Sequence, residues 1–306
     1  MPRIAYFGPS GTFTEMALAQ FEATHTFSEP VERIAAPGQA DALELIRSGA
    51  VEGAVVPIES SVEGSISATL DALAVGPRLQ IIAETELDVA FTILARPGTA
   101  LERVRTLAAY PVAAAQVRIW LADRMPGVEL YTSASNAAAA EDVVAGRADA
   151  AVSTRLAGER LGLAELASGV ADHDRAVTRF VLVTPPRPAP PRSGADRTSL
   201  VVLELANEPG ALMRVFAEFA TRGVDLTRIE SRPTRTEMGT YRFYLDCVGH
   251  IEDTAVAEAL KALHRTAGSV RYLGSWPAAV PSGCAPPSDE SAAAWLADVK
   301  KGVDAS

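Results

Sequence analysis

Arg3-Ile-Ala-Tyr-Phe-Gly-Pro-Ser-Gly-Thr-Phe-Thr-Glu-Met-Ala-Leu-Ala-Gln-Phe21 decides how the first half of the chain reads. Residues 4–7 form a short apolar run, the signature of a buried strand, and residues 12–21 carry apolar side chains at helical spacing. A loop of glycine, proline and hydroxylated residues joins them. A strand that turns through small residues into a helix is the repeating unit of an α/β fold. The unit recurs outward: strand 33–36 with helix 40–47, and strand 53–56 with helix 65–74. After strands at 80–83 and 90–95 come strand 106–109, helix 112–123, strand 129–132, helix 136–145 and strand 150–152. The alternation predicts largely parallel sheets covered by helices, with material for two small lobes. The helix-free stretch 79–95 is expected to cross from one lobe to the other, and strand 180–183 to return. Ligands in open α/β sheets sit at the carboxyl ends of strands, which here means the cleft.

Five prolines between Thr184 and Asp196 mark the clearest boundary, an extended and semi-rigid spacer. Beyond it the order changes. Strand 199–205 leads into a helix that begins near Asn207-Glu-Pro-Gly-Ala-Leu-Met213, with Pro209 expected in its first turn. Segments 224–231 and 241–248 alternate as a hairpin pair, 254–265 is helical, and 270–275 is a last strand. The result is βαββαβ, a ferredoxin-like split βαβ sandwich. The chain past Trp276 is expected to be weakly ordered or docked on the surface, with a short amphipathic segment at 291–300.

The 306 residues are 48% hydrophobic and 22% charged, an ordinary globular balance, with few aromatics at 6%. A net charge of −10 argues against generic binding to nucleic acid or to an anionic membrane, since both need a basic surface. Two cysteines, Cys247 and Cys284, and four scattered histidines make neither a disulfide framework nor a metal-ligand spacing. The N-terminus has no signal-peptide core, and no apolar run is long enough to span a bilayer. The expectation is a cytoplasmic protein.

Three strand-to-helix junctions look alike: Gly8-Pro-Ser-Gly-Thr-Phe-Thr-Glu15, Pro57-Ile-Glu-Ser-Ser-Val-Glu-Gly-Ser-Ile66 and Thr132-Ser-Ala-Ser-Asn-Ala137. Helix starts carry unpaired N–H groups and partial positive charge, so they attract carboxylate or phosphate. Taken singly, each reads as simple helix capping. Three facing one cleft would make an anion site without lysines. None is a nucleotide loop: Gly8 and Gly11 are followed by neither the lysine of a P-loop nor the third glycine of a dinucleotide fingerprint. Thr178-Arg-Phe180 is expected just ahead of the returning strand, where an arginine can clamp a carboxylate and a threonine hydroxyl can donate to a leaving oxygen. Glu59 reads either as a buried acid or as an anchor for its own turn, and Gln116 either as facing the cleft or as solvated.

These motifs, with Asn207-Glu-Pro-Gly-Ala-Leu212 and Glu230-Ser-Arg-Pro233 past the spacer, resemble prephenate dehydratases over residues 3 to about 276. The resemblance implies a two-lobed α/β catalytic region, similar to periplasmic binding proteins, followed by an ACT domain. It places the catalytic region at 1–184 (lobe 1 about 1–76 and 168–184, lobe 2 about 77–167), a linker at 185–197, the ACT domain at 198–276 and a tail at 277–306. It implies cofactor-free loss of carbon dioxide and water from prephenate, with Thr178 essential. Arg179 and Glu59 join it as catalytic candidates. The substrate-binding candidates are Gly11, Thr12, Ser60, Ser61, Gly64, Ser65, Gln116, Ser135, Asn136 and Phe180, and no metal is expected. The ACT motifs imply L-phenylalanine as effector in a homodimer or homotetramer, bound by Asn207, Pro209, Gly210, Ala211, Leu212, Glu230, Ser231, Arg232 and Pro233.

This chain departs from the family at Ser60, where asparagine is usual, and at Ser10, where many members carry glutamate or another polar residue. It departs again at Ala109-Tyr-Pro111, where many read Ser-His-Pro. A hydroxyl at 60 lacks the two donors of an amide. Two other readings stand beside the first: a non-catalytic sensor of small anions and amino acids, and an arogenate dehydratase acting on the aminated substrate.

Overall fold

The computed structural model describes residues 1–173 and 175–303. The first lobe runs β1 (Arg3–Phe7), α1 (Phe13–Ala23), β2 (Glu32–Ala36), α2 (Gln39–Arg47), β3 (Gly53–Ser60), β4 (Gly64–Ser65), α3 (Ser67–Ala74) and β5 (Gln80–Asp88). The second lobe follows with β6 (Thr92–Ala95), β7 (Thr106–Ala109), α4 (Pro111–Gln116), α5 (Arg118–Arg124), β8 (Glu129–Thr132), α6 (Asn136–Val144), β9 (Ala150–Ser153), α7 (Arg155–Leu161) and β10 (Ala164–Ser168). β11 (Val177–Thr184) then returns to the first sheet, whose order is β2-β1-β3-β11-β5 with β4 beside β3. The second sheet is ordered β10-β6-β9-β7-β8.

Both sheets are mixed, where the alternation had suggested largely parallel ones. β1 pairs in parallel with β2 and β3, but β11 runs antiparallel to β3, and β6 runs antiparallel to β9 and β10. β6 and β11 are the strands that the chain enters at the two crossings without a helical connection, and β4 is antiparallel to β3 as the return of a short hairpin. Other differences are local. Thr178-Arg-Phe180 lies inside β11 rather than ahead of it, Ser65 sits on β4 with its helix starting at Ser67, and residues 112–123 break into two helices at Val117. Short α7 and β10 had no periodic signal.

Alanine does the packing that so few aromatics cannot. Ala139 and Val143 of α6 press on Ala108, Ala148 and Ala151, which lets helix and sheet approach closely. The centre of the second lobe holds Phe91, Ile93, Leu107, Val117, Leu121 and Val152, and Phe13 of the first lobe packs against it.

Residues Met1–Ala72 and Thr85–Pro185 form one compact unit; Leu73–Glu84 joins the chain from Pro186 onward in another. The second unit comprises β12 (Asp196–Glu204), α8 (Ala211–Ala220), β13 (Leu226–Pro233), β14 (Tyr241–Val248), α9 (Thr254–Thr266), β15 (Ser269–Pro277) and α10 (Glu290–Lys300). Its antiparallel sheet is ordered β13-β14-β12-β15, the split βαβ arrangement, with Leu200, Val215, Phe219, Leu245 and Leu263 in the core.

Residues 73–84 belong to this unit for definite reasons. The Arg271 guanidinium donates to the carbonyls of Leu73 and Val75 at 3.1 Å and of Gly76 at 3.0 Å. At Gly274 a Cβ would fall 2.1 Å from the Ile81 carbonyl oxygen, so only glycine lets β15 come this close. The proline-rich stretch is anchored rather than free. Gln80 Nε2 donates to the Arg187 carbonyl at 2.8 Å, the Pro190 carbonyl meets His250 Nε2 at 3.0 Å, and Arg192 pairs with Asp253 at 2.6 Å. Pro209 precedes α8 instead of entering it; the cap is Gly210, at φ +80°. α10 has no buried residue. No helix among the described residues is long and apolar enough to cross a membrane.

Candidate active site

A cleft of about 500 Å³ opens between the two lobes of the first unit. Its wall is built from helix starts. Thr12, Phe13 and Thr14 come from the beginning of α1, Gln39 from that of α2, Ser67 and Ala68 from that of α3, and Ser135 and Asn136 from that of α6. Tyr110, Val112 and Ala113 at the start of the short α4 also line it. The first-turn amides of a helix have no acceptor within the helix, so several N–H groups and partial positive charges surround one space.

The hydroxyls expected to bind are unequally free. Thr12 Oγ1 donates to the Phe7 carbonyl at 2.9 Å and accepts from the Glu15 amide at 3.4 Å; its side chain is a cap. Ser135 likewise caps α6 by accepting from the Ala138 amide at 3.0 Å. Ser60 accepts from the amides of Val62 and Glu63, both at 3.3 Å, and keeps its own proton. Thr178 stands directly opposite Ser60 across the β11–β3 ladder, and both line the cleft. No hydrogen bond joins the Thr178 hydroxyl to another described residue. Asn136 Oδ1 is buried without a hydrogen-bond partner among the described residues. Phe180, two residues from Thr178 on the same strand face, contributes apolar wall along with Phe7, Phe13 and Phe91. Phe13 and Phe91 meet edge to face, with centroids 5.8 Å apart.

Five candidates fall outside the lining. Arg179 is 4% exposed and alternates to the other face of β11, where it pairs with Glu59 at 2.7 Å. Neither residue lines the cleft, so the clamp expected of Arg179 is not formed; strand alternation turns it away from Thr178. Ser61 ties β11 to the turn: its amide donates to the Val177 carbonyl at 2.8 Å and its hydroxyl accepts from the Val177 amide at 2.9 Å. Gly64 supplies a turn at φ +76°. Gly11 lies behind Thr12. Ser65, Gln116, Thr12, Ser135, Asn136, Ser60, Thr178 and Phe180 are brought together.

Sequence reasoning missed Glu63, Tyr110 and Gln39 as lining residues. Glu63 accepts from Gln116 Nε2 at 3.3 Å, a bond from lobe to lobe. Among the described lining residues there is no lysine or arginine, and Glu63 is the one carboxylate. It lies inside the 57–66 motif, but one acid in an exposed turn reads as solvated surface. Gln116, by contrast, is buried in the cleft wall. Among the described residues no group of three or more acids, histidines or cysteines is placed to hold a metal ion.

The effector candidates lie in the second unit. Ala211 and Leu212 open α8 behind the Gly210 cap, with Asn207, Pro209 and Gly210 exposed before it. Glu230, Ser231, Arg232 and Pro233 run along β13, an edge strand of its sheet.

The prephenate dehydratase family model matches residues 4–188, and the ACT domain model matches 198–265. A prephenate dehydratase of Mycobacterium sp. (strain JLS) is 56% identical over 312 residues, covering 99% of this chain and 98% of its own. That of Mycobacterium tuberculosis (strain ATCC 25618 / H37Rv) is 55% identical over 306 residues, covering 99% and 95%. Among solved structures, a prephenate dehydratase from Arthrobacter aurescens in complex with L-Phe superposes with a TM-score of 0.88 at 40% identity, covering 98% of this chain and 100% of that one. With a family model spanning more than half of its residues and relatives this close over their whole length, the chain belongs to the prephenate dehydratase family.

Proposed function

We propose that the lobe–lobe cleft of this chain expels carbon dioxide and water from prephenate through Thr178, with helix-start amides in place of basic side chains. The observation that carries the reading is the convergence of helix starts on one space beside a threonine hydroxyl with no hydrogen-bond partner among the described residues. Prephenate is a dianion. In the reaction the bond from ring to carboxylate breaks and its electron pair enters the ring. The hydroxyl on the opposite carbon leaves, one proton converts it to water, and the ring becomes aromatic. Phenylpyruvate, carbon dioxide and water result. The substrate supplies the driving force, so the protein needs to orient it and to ease the hydroxyl away. A threonine is a poor acid, but departing hydroxide is basic enough to accept a strong hydrogen bond from it. Ser60, opposite Thr178, is placed to donate a second one. Asn136 and the starts of α1, α3 and α6 face the carboxylates. Arg179 and Glu59 hold β11 against β3 from behind.

The test is Thr178→Val beside Thr178→Ser, assayed for phenylpyruvate. Loss of a positioned donor lowers kcat by roughly 10²–10³-fold in the valine variant, while serine retains most of the rate. Near-full turnover in a folded Thr178→Val protein would remove Thr178 from the mechanism.

One observation favours a second substrate. Glu63, the one carboxylate among the described lining residues, suits a ligand that brings an ammonium group, as arogenate does. Assaying both substrates side by side separates the two. The ACT domain supports feedback control: we take L-phenylalanine, present in the Arthrobacter aurescens structure, as effector here. The 207–212 turn and the 230–233 edge would bind it where a second copy completes the site, in a dimer or tetramer. Calorimetry with L-phenylalanine and sedimentation of the full chain test this; no heat of binding and a monomer would end it.

A further inference from the structure

Three separate links from the second lobe converge on one turn of the first, residues 8–14. Thr154, the N-cap of α7, donates its hydroxyl to the Gly11 carbonyl at 2.7 Å. On the other side of the same residue, the Gly11 amide donates to Glu15 Oε2 at 2.7 Å. That oxygen also receives Arg160 Nη1, from α7, at 2.5 Å, and Arg160 donates again to Ser10 Oγ. The third link is Phe13, whose ring meets Phe91 and packs on the second lobe's core. Contact at Gly11 is close: a Cβ there would lie 3.1 Å from both Cα and Cβ of Ala157. Glu15 is 4% exposed and is gripped from its own lobe too, by Arg33 at 3.1 Å. The three residues of this turn that reach the cleft are Thr12, Phe13 and Thr14, facing Ser135 and Asn136 of the other lobe.

We propose that Arg160 is a positioning residue: with Glu15 and Thr154 it latches the 8–14 turn to the second lobe and so sets the gap across which substrate is held. It does not line the cleft, and the side chain is 38% exposed, so its service is to the turn rather than to the reacting atoms. Ser10, whose hydroxyl donates to Glu15 Oε2 at 3.1 Å and accepts from Arg160, is part of the latch. The latch explains why a carboxylate is kept in the first turn of α1 beside an anion site: Glu15 spends its charge on Arg160 and Arg33, and the turn presents amides to the cleft instead.

This inference rests on the prephenate reading only for its kinetic readout. With Arg160→Gln the lobes separate more often, and the fraction of molecules with the cleft set for substrate falls. A competent fraction reduced to about a tenth raises KM about tenfold and leaves kcat at saturation within about threefold. Arg160→Lys, which keeps a cation within reach of Glu15, restores most of the difference. Because the two residues act as a unit, Glu15→Gln combined with Arg160→Gln costs no more than the worse single change. Hydrogen exchange of the peptide covering residues 8–14 reads the latch without any substrate: it speeds up in Arg160→Gln and stays near wild type in Arg160→Lys. Should Glu15→Gln fail to fold, the two Arg160 variants decide the matter alone. Unchanged exchange in Arg160→Gln, or a fall in kcat with KM constant, would overturn the latch. An enzyme inert toward prephenate but with accelerated exchange in Arg160→Gln would overturn the substrate reading and leave the latch standing.

Discussion

Replacing Gly11 by alanine tests the lobe contact directly. Gly11 has φ +92°, a conformation that costs an L side chain about 1–2 kcal/mol. The added methyl would meet Ala157 at 3.1 Å, and one of the two atoms it meets is backbone, which no rotamer change can move. Forcing a carbon into so tight a space costs about 1–3 kcal/mol. Together these give about 2–5 kcal/mol. For a unit of roughly 150–250 residues each kcal/mol lowers the thermal midpoint by about 2–4 °C, so the expected fall is about 4–20 °C. The protein has one escape. It can relieve the methyl contact by parting the lobes, and then the midpoint falls less but KM for prephenate rises. Differential scanning calorimetry and steady-state phenylpyruvate formation on the same preparation read both routes. Adding Ala157→Gly removes one of the two clashing atoms and leaves the other along with the φ strain, so rescue is partial. A Gly11→Ala protein with its midpoint within about 1 °C and its KM unchanged would refute the contact, since no 2 kcal/mol penalty could then exist.

Removing the charge at Glu63 has opposite effects on the two candidate substrates. A carboxylate facing a bound dianion across partly solvated space costs about 0.5–1.5 kcal/mol, so Glu63→Gln lowers KM for prephenate roughly two- to tenfold and raises it for arogenate. The difference shrinks at high salt; equal KM values at all ionic strengths would show that Glu63 does not sense the ligand. Acid stability follows from Glu15. Burial pushes its carboxyl up, but the hydrogen bonds from Arg160, the Gly11 amide and Arg33 outweigh that and hold it below the usual carboxylate range. Such a group stabilises the fold fully above its unfolded value of about 4.3, and the benefit is lost as pH falls through the lower folded value. Glu15→Gln is therefore less stable at pH 7 by about 1.5–3 kcal/mol, the worth of hydrogen bonds to a charged group, and its stability declines less between about pH 4.3 and 2. Parallel stability curves for the two proteins over that range would show that Glu15 is not the titrating group.

The repeating units were legible in the sequence because helix and strand periods differ and because small residues mark each turn. The α1 start could be read as helix capping, and the structure shows that Thr12 accepts the Glu15 amide. Strand direction could not be read. β11 looks like any apolar strand, and its antiparallel pairing with β3 depends on a return from the other lobe, more than a hundred residues later. The same limit hid the true position of Arg179. Thr178-Arg-Phe180 places both chemistry-bearing residues side by side in the chain, while a strand must send them to opposite faces. Placing the motif ahead of the strand concealed that consequence. The grouping of residues 73–84 with the second unit could not be read for a similar reason: their partners, Arg271 and Gly274, lie more than 190 residues away. Arg160 carried no periodic or motif signal, and Glu63, though inside the 57–66 motif, had nothing to set it apart from a solvated acid.

On the proposed reading, a cleft that grips a dianion with amides, with no lysine or arginine among its described lining residues, has a kinetic consequence. Three guanidiniums are committed one layer back: Arg179 to Glu59, and Arg160 and Arg33 to Glu15. The attraction therefore comes from helix starts, each worth about 0.3–1 kcal/mol at exposed sites and up to about 2 where partly buried. That attraction is divided between two carboxylates. Losing one of them as carbon dioxide forfeits roughly half of it at the moment of reaction, while a wall carrying Glu63 continues to repel what remains. A buried arginine clamp of bidentate geometry would instead hold the surviving carboxylate of phenylpyruvate about as firmly as it held the substrate. Graded dipoles beside a single acid thus favour the doubly charged substrate and release its singly charged product, which lets an acidic protein turn over an anion without a basic pocket.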